Sequence, residues 1–273
     1  MPSLRDVTSI ERIDRDIFRG ARLESKLLRT YGGQIACQSL TAAVRTVEED
    51  RFVHSLHGYF LRAGNPASHT VFEVERLRDG RSFSTRRVNA IQEGEVIFSM
   101  SASFHVHGQT GLEHADTMPE VVGPDNLQNI RDLEIEAPFN AFFLEWEDWD
   151  IRFIPAEEQK LSPSLASQQR VWFRYTGEIS DDPNDHVCAL AYMSDMTLLG
   201  SARVAHPGVE VQEASLDHAM WFQRPFRADE WLLYDQSSPS ATGSRSLTQG
   251  RIFDASGNLV AAVCQEGLTR TRG

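Results

Sequence analysis

Lysine is almost missing from this 273-residue chain. It occurs only at Lys26 and Lys160, so nearly all of the 27 cationic side chains are arginines. Asp and Glu number 39, which leaves a formal net charge of −12. That balance disfavours nucleic acid and an anionic membrane as main partners, because neutralising phosphates takes an excess of cations. Arginine grips phosphate through two parallel N–H donors, so a local anion site remains compatible with the global sign. Cysteine is scarce as well. Cys37, Cys188 and Cys264 are odd in number, far apart and set in apolar runs, which excludes a disulfide framework and a paired-thiol centre. Apolar runs are short, as from Val187 to Met193, and none is long enough to span a bilayer. The charged start, MPSLRDVTSIERIDRD, is unlike a signal peptide, and the Thr-Arg-Gly end lacks a peroxisomal address. The expectation is a soluble cytoplasmic protein. There is no GxSxG elbow, no GxGxxG after a strand and no GxxxxGK[ST], so serine α/β-hydrolase, dinucleotide and P-loop chemistries are disfavoured.

What is present is a globular composition, 41% apolar, arranged in two similar halves. Each half opens on a helix with apolar cover nearly all round. The first spans 33–47. The second spans 183–199, with Asp182 as N-cap, Pro183 in the first turn and Gly200 just past the end. Strands follow in both halves, punctuated by turns at Asp79-Gly80, Glu93-Gly94 and Ser256-Gly257. Ser55-Leu56-His57 recurs as Ser215-Leu216-Asp217, each opening an aromatic-rich strand. The fold class expected is α+β, two antiparallel sheets each curled around its helix to hide the apolar faces. The boundaries expected are an N-terminal domain over 1–110, a connection over 111–137 and a C-terminal domain over 138–273. The acidic run EWEDWD (145–150) reads as a solvated strand edge.

Several residues invite chemistry. Asp195 is a carboxylate in an apolar helix, costly unless hydrogen-bonded or used. Gln265 follows six residues of apolar strand, where an amide can donate and accept at once, or simply mark a strand end reaching solvent. His105 and His107 share one strand face, with His114 beyond, but lack an evident third metal ligand. Ser215, Asp217 and His218 suggest a triad, which strand alternation argues against: 215 and 217 share a face and 218 takes the other.

Taken in order, YGGQIACQSL, VHSLHGYFLRAG, LRDGRSFSTRRVNAIQ, AYMSDMTLL, SLDHAMWFQRPF, EWLLY and VCQEG resemble the acyl-CoA thioesterase II family. The resemblance covers essentially the whole chain and is weakest over 107–160. It implies a double hotdog fold and hydrolysis of fatty acyl-CoA by a water held between an acid, a hydroxyl and an amide. The matching positions are Asp195, Ser215 and Gln265. It implies no cofactor, acyl-CoA as the partner and a homo-oligomer, dimer or tetramer. Backbone N–H groups near Gly32-Gly33 are expected to polarise the carbonyl, and Arg78 and Arg81, with Arg86 and Arg87, either meet CoA phosphates or are merely solvated. His57 either lines the site or is structural. The rival readings are an acyl-CoA-binding protein without turnover, and an enoyl-CoA hydratase, whose usual GDxNPxH-type loop is absent.

Overall fold

The computed structural model describes residues 3–22, 25–133, 143 and 146–272. A short helix, α1 (Leu4–Thr8), opens the chain, with Ser3 and Asp6 capping each other's backbone. Strands β1 (Glu11–Asp14) and β2 (Ile17–Gly20) lead to helix α2 (Gly32–Val44) and the strands β3 (Arg51–Phe60), β4 (Thr70–Asp79), β5 (Phe83–Gln92) and β6 (Glu95–Val106). The second half runs β7 (Trp149–Phe153), β8 (Ser167–Tyr175), α3 (Pro183–Thr197), β9 (Val211–Ser215), β10 (Asp217–Phe222), β11 (Leu232–Thr242), β12 (Arg245–Asp254) and β13 (Leu259–Thr271).

The two expected sheets are one. The thirteen strands join in the order β1-β2-β4-β5-β6-β3-β10-β13-β12-β11-β8-β7, with β9 added against β13. The link is β3 with β10, antiparallel and in register from Asp217 opposite Tyr59 to Trp221 opposite Ser55. Each half therefore satisfies the other's open edge, which would otherwise expose a row of unpaired backbone groups. Gly58 sits in this seam because a Cβ there would lie 2.3 Å from the Phe98 ring.

Helices α2 and α3 pack on each other as well as on the sheet. From Gly33 to Ala43 every residue of α2 is buried. Cys37 and Cys188 lie within this contact, where burial pushes the Cys188 thiol up to about 12 and raises that of Cys37. Neither is a thiolate at neutral pH. The N-terminus of α3 is as read: the Asp182 carboxylate accepts from the Asn184 amide and Pro183 occupies the first turn. Its end is not. Gly200 does not terminate it; Leu198 stays helical, and a 3₁₀ segment continues over Leu199–Ala205, held by buried Leu198 and Leu199.

One further expectation needs correction in part. Trp146, Trp149 and Asp150 of the acidic run are buried, and Asp150 binds Arg152 at 2.8 Å and Asn129 at 2.9 Å. Trp149 and Asp150 belong to the edge strand β7; Glu147 is exposed as expected, Asp148 is half-buried, and Glu145 lies outside the described residues. The connection between halves also packs, placing Met118, Val121, Val122 and Leu127 against Trp172 and Phe253. The boundary drawn between 137 and 138 falls outside the described residues.

Candidate active site

The geometry around Asp195 follows from a break in the strand that carries Ser215. Strands β9 and β10 both pair with β13, but Leu216 between them is in neither. At this kink the Asp217 carboxylate accepts the Glu266 amide at 2.7 Å, filling a gap in the ladder. Strand alternation is thereby interrupted, so Ser215 and His218 both face α3. They still form no triad. His218 bonds Ser194 at 2.7 Å, whereas the Ser215 hydroxyl donates to Asp195 Oδ1 at 2.8 Å. The same Oδ1 accepts from Gln265 Nε2 at 2.5 Å. Asp195 Oδ2 accepts from the Gly33 amide, 2.9 Å away, at the start of α2. The carboxylate thus takes three donors, from α2, β9 and β13, and draws on both halves of the chain.

The helix turn that carries Asp195 is pinned by two tyrosines the sequence reading did not single out. Tyr31 donates to the Tyr192 carbonyl at 2.7 Å and Tyr234 to that of Ser194 at 3.1 Å. Burial, and then the nearby charge of Asp195, raise both phenols well above their ordinary value, so both remain neutral donors. Gln265 is fully buried, and its Oε1 has no protein partner among the described residues.

Asp195, Ser215, Tyr31 and Gly32 border a cleft of about 590 Å³, whereas Gln265 lies behind its wall. Ile35, Phe60, Phe98, Phe143, Phe153 and Met196 give it apolar walls, and Arg29, Arg62 and Arg203 lie along it. Gly32 borders the carboxylate so closely that a Cβ would stand 2.6 Å from Asp195 Oδ2. The Gly32 amide, in the first helical turn, has no backbone acceptor among the described residues.

Of the other expected binding residues, Gly33 is at the site, but its amide is committed to Asp195 rather than open to a carbonyl. His57 is exposed and packs edge-on against Trp221, ring centroids 4.9 Å apart, away from the cleft. Arg78 and Arg81 lie at the β4–β5 tip, next to Arg51 at one end of β3, whereas the cleft meets β3 at Phe60. Nine residues of strand, roughly 30 Å at ~3.3 Å per residue, separate the two ends. Arg86 is buried and ties Thr46 to Asp79 inside the protein. The cations at the cleft are instead Arg29, Arg62 and Arg203, whose sequence settings carry no distinguishing pattern. His105 stacks on Phe83 and His107 lies against Phe52, and no group of three metal-ligating side chains is found among the described residues.

Comparison with known proteins decides the family. The family model described as Acyl-CoA thioesterase matches residues 142–268, and the one described as Acyl-CoA thioesterase N-terminal domain matches 25–105. Human acyl-coenzyme A thioesterase 8 is 39% identical over 97% of this chain and 88% of its own length. The chain belongs to the acyl-CoA thioesterase family. The solved acyl-CoA thioesterase II from Mycobacterium marinum shares 54% identity, covers 99% of both chains and superposes with a TM-score of 0.89. A hotdog-fold protein from Alicyclobacillus acidocaldarius, 19% identical, covers 100% of both chains with a TM-score of 0.80, a likeness of fold alone. As a thioesterase of hotdog fold, the protein is a thioester hydrolase. No described helix is long and apolar enough to cross a membrane.

Two buried histidines make a separate prediction about stability. His186 Nδ1 accepts the Ala228 amide at 3.0 Å, and His218 is wholly enclosed. Burial holds both imidazoles below their ordinary 6.5, for His218 against the pull of Asp195 and Asp217. The unfolded chain takes up these protons near pH 6.5 and the folded protein resists them. Stability is therefore full above about pH 6.5 and falls as pH drops below it. The urea midpoint should decrease between about pH 7.5 and about pH 5.5, and His218→Asn should flatten part of that slope. An identical slope in the variant contradicts the assignment.

Proposed function

We propose that the protein hydrolyses fatty acyl-CoA to free acid and CoA by direct attack of water, with Asp195, Ser215 and Gln265 as its catalytic trio. The observation that carries this reading is the Asp195 carboxylate, held by three donors while Oδ2 borders the space beside Gly32. A water in that space can pass its proton to Oδ2 as it attacks the thioester carbon. Ser215 and Gln265 both donate to Oδ1, so they aim the carboxylate. Gln265 Oε1 and the Ser215 oxygen keep acceptor capacity for the same water. The tetrahedral oxyanion needs a donor placed in advance, and the Gly32 amide is the available one. The apolar walls take the acyl chain, and the expelled water strengthens each of these contacts. Cytoplasmic location and assembly into a homo-oligomer belong to the same proposal. Exposed Tyr59, Trp221 and Leu247, on β3, β10 and β12, fit the latter.

The test is free-thiol release measured across acyl-CoA substrates of increasing chain length, with multiple turnovers per protein expected. Stoichiometric binding without turnover would favour a non-catalytic acyl-CoA-binding protein. Because Ser215 and Gln265 act on one carboxylate oxygen, Ser215→Ala and Gln265→Ala should each lower kcat more than they raise KM. Combining them should cost much less than the product of the single losses. Multiplicative losses in the double variant would mean that the two side chains work separately.

A further inference from the structure

A second concavity, of about 220 Å³, lies beside the cleft, between the 3₁₀ segment, β9 and the tip of the β11–β12 hairpin. Arg203 lines both spaces and forms the wall between them. Arg203, His206 and Arg245 line the second space with Thr242, Ser244 and Thr271, on a floor of Ala202, Val209, Val211 and Ala241. The hairpin tip is a tight turn, with Gly243 and Ser244 both left-handed at φ 57° and 60°, and this brings Thr242 and Arg245 side by side. Guanidinium forks with hydroxyls suit the oxygens of a phosphate. Two carboxylates compete: Glu213 lies 3.5 Å from Arg203, and Glu266 lies 3.0 Å from Arg245. Both pairs are partly exposed and weakly held, so a doubly charged phosphate can displace them.

Position completes the argument. Ser215 is at the trio, and the same strand runs back to Val211 at the pocket, a span of about 13 Å at ~3.3 Å per residue. A thioester held at Asp195, with its pantetheine arm laid along β9, would deliver its phosphates to this pocket. We propose that the pocket seats the phosphates of the nucleotide end of CoA, with Arg203 and Arg245 as the gripping forks. This assignment rests on the thioesterase reading and names where that substrate's polar end binds.

The experiment compares kcat/KM for an acyl-CoA and for the matching acyl-pantetheine, which lacks all phosphates, in the unmodified protein and in Arg245→Gln. Losing one charge-assisted phosphate contact should reduce the preference for acyl-CoA roughly tenfold, through KM. Turnover of acyl-pantetheine by the same sample reports that the variant is folded. A preference equal to that of the unmodified protein, or equal losses on both substrates, overturns the assignment while leaving the thioesterase reading intact. If the unmodified protein hydrolyses neither substrate, the thioesterase reading itself fails.

Discussion

Asp195→Asn should reduce turnover of acyl-CoA by about 10²–10⁴-fold, the usual cost of losing a general base. The structure adds a second reason for a large effect. Asp195 accepts from three donors, two on Oδ1 and one on Oδ2. An asparagine can offer its oxygen to Ser215 and Gln265 only by turning its NH₂ group on the Gly33 amide, donor against donor. The variant therefore loses the proton acceptor and the alignment together. Acyl-CoA should still bind, since the apolar walls are untouched, and binding of a non-hydrolysable thioether analogue checks this. Turnover within a few-fold of the unmodified protein would remove Asp195 from the mechanism.

The second large effect concerns two adjacent glycines with different duties. At Gly33 a Cβ would stand 2.2 Å from the Tyr192 carbonyl oxygen and 2.7 Å from the Tyr31 ring. Both obstacles belong to the helix contact, so Gly33→Ala must push α2 and α3 apart. Overpacking of this kind costs about 3 kcal/mol at the upper end of its usual range. In a chain of this size that lowers Tm by roughly 6–12 °C. At Gly32 the obstacle is the Asp195 carboxylate itself, so Gly32→Ala should abolish turnover with a much smaller change in Tm. Thermal melts of the two variants beside their thiol-release rates separate these outcomes. A Gly33→Ala protein melting within about 2 °C of the unmodified one would contradict the packing argument.

Much of this arrangement was legible in the sequence because local chemistry and long-range packing agree there. The capped start of α3 and the left-handed Glu93-Gly94 turn, with φ of 52° and 83°, needed only short-range rules. Asp195 and Gln265 stood out because a polar group in an apolar run must be satisfied or used, and each is the other's partner. What was hidden depends on contacts between distant segments. Nothing in β3 or β10 alone announces that they pair and merge two sheets into one. The kink at Leu216 could not be read either, because it rests on Asp217 bonding the Glu266 amide 49 residues away. That kink is why simple strand alternation misplaced His218. The arginines around Asp79-Gly80 were conspicuous by density, yet β3 carries them to the end opposite the cleft. Arg203, set in an unremarkable helical stretch, faces both cavities.

The central claim is that water, activated at Asp195, attacks the thioester without a covalent acyl-enzyme. Ser215 has a carboxylate and not an imidazole as its partner, and burial raises all three thiols above their ordinary value. Ser194 with His218 and Ser103 with His54 do pair a hydroxyl with an imidazole, but none of the four lines the cleft. No described cleft hydroxyl or thiol is therefore activated to accept the acyl group. The direct measurement is a single-turnover reaction in ¹⁸O-labelled water, with the intact protein mass followed through the same time course. The account predicts one labelled oxygen in the product acid and no acylated chain at any time. An acyl adduct that forms and decays at the rate of turnover would contradict it.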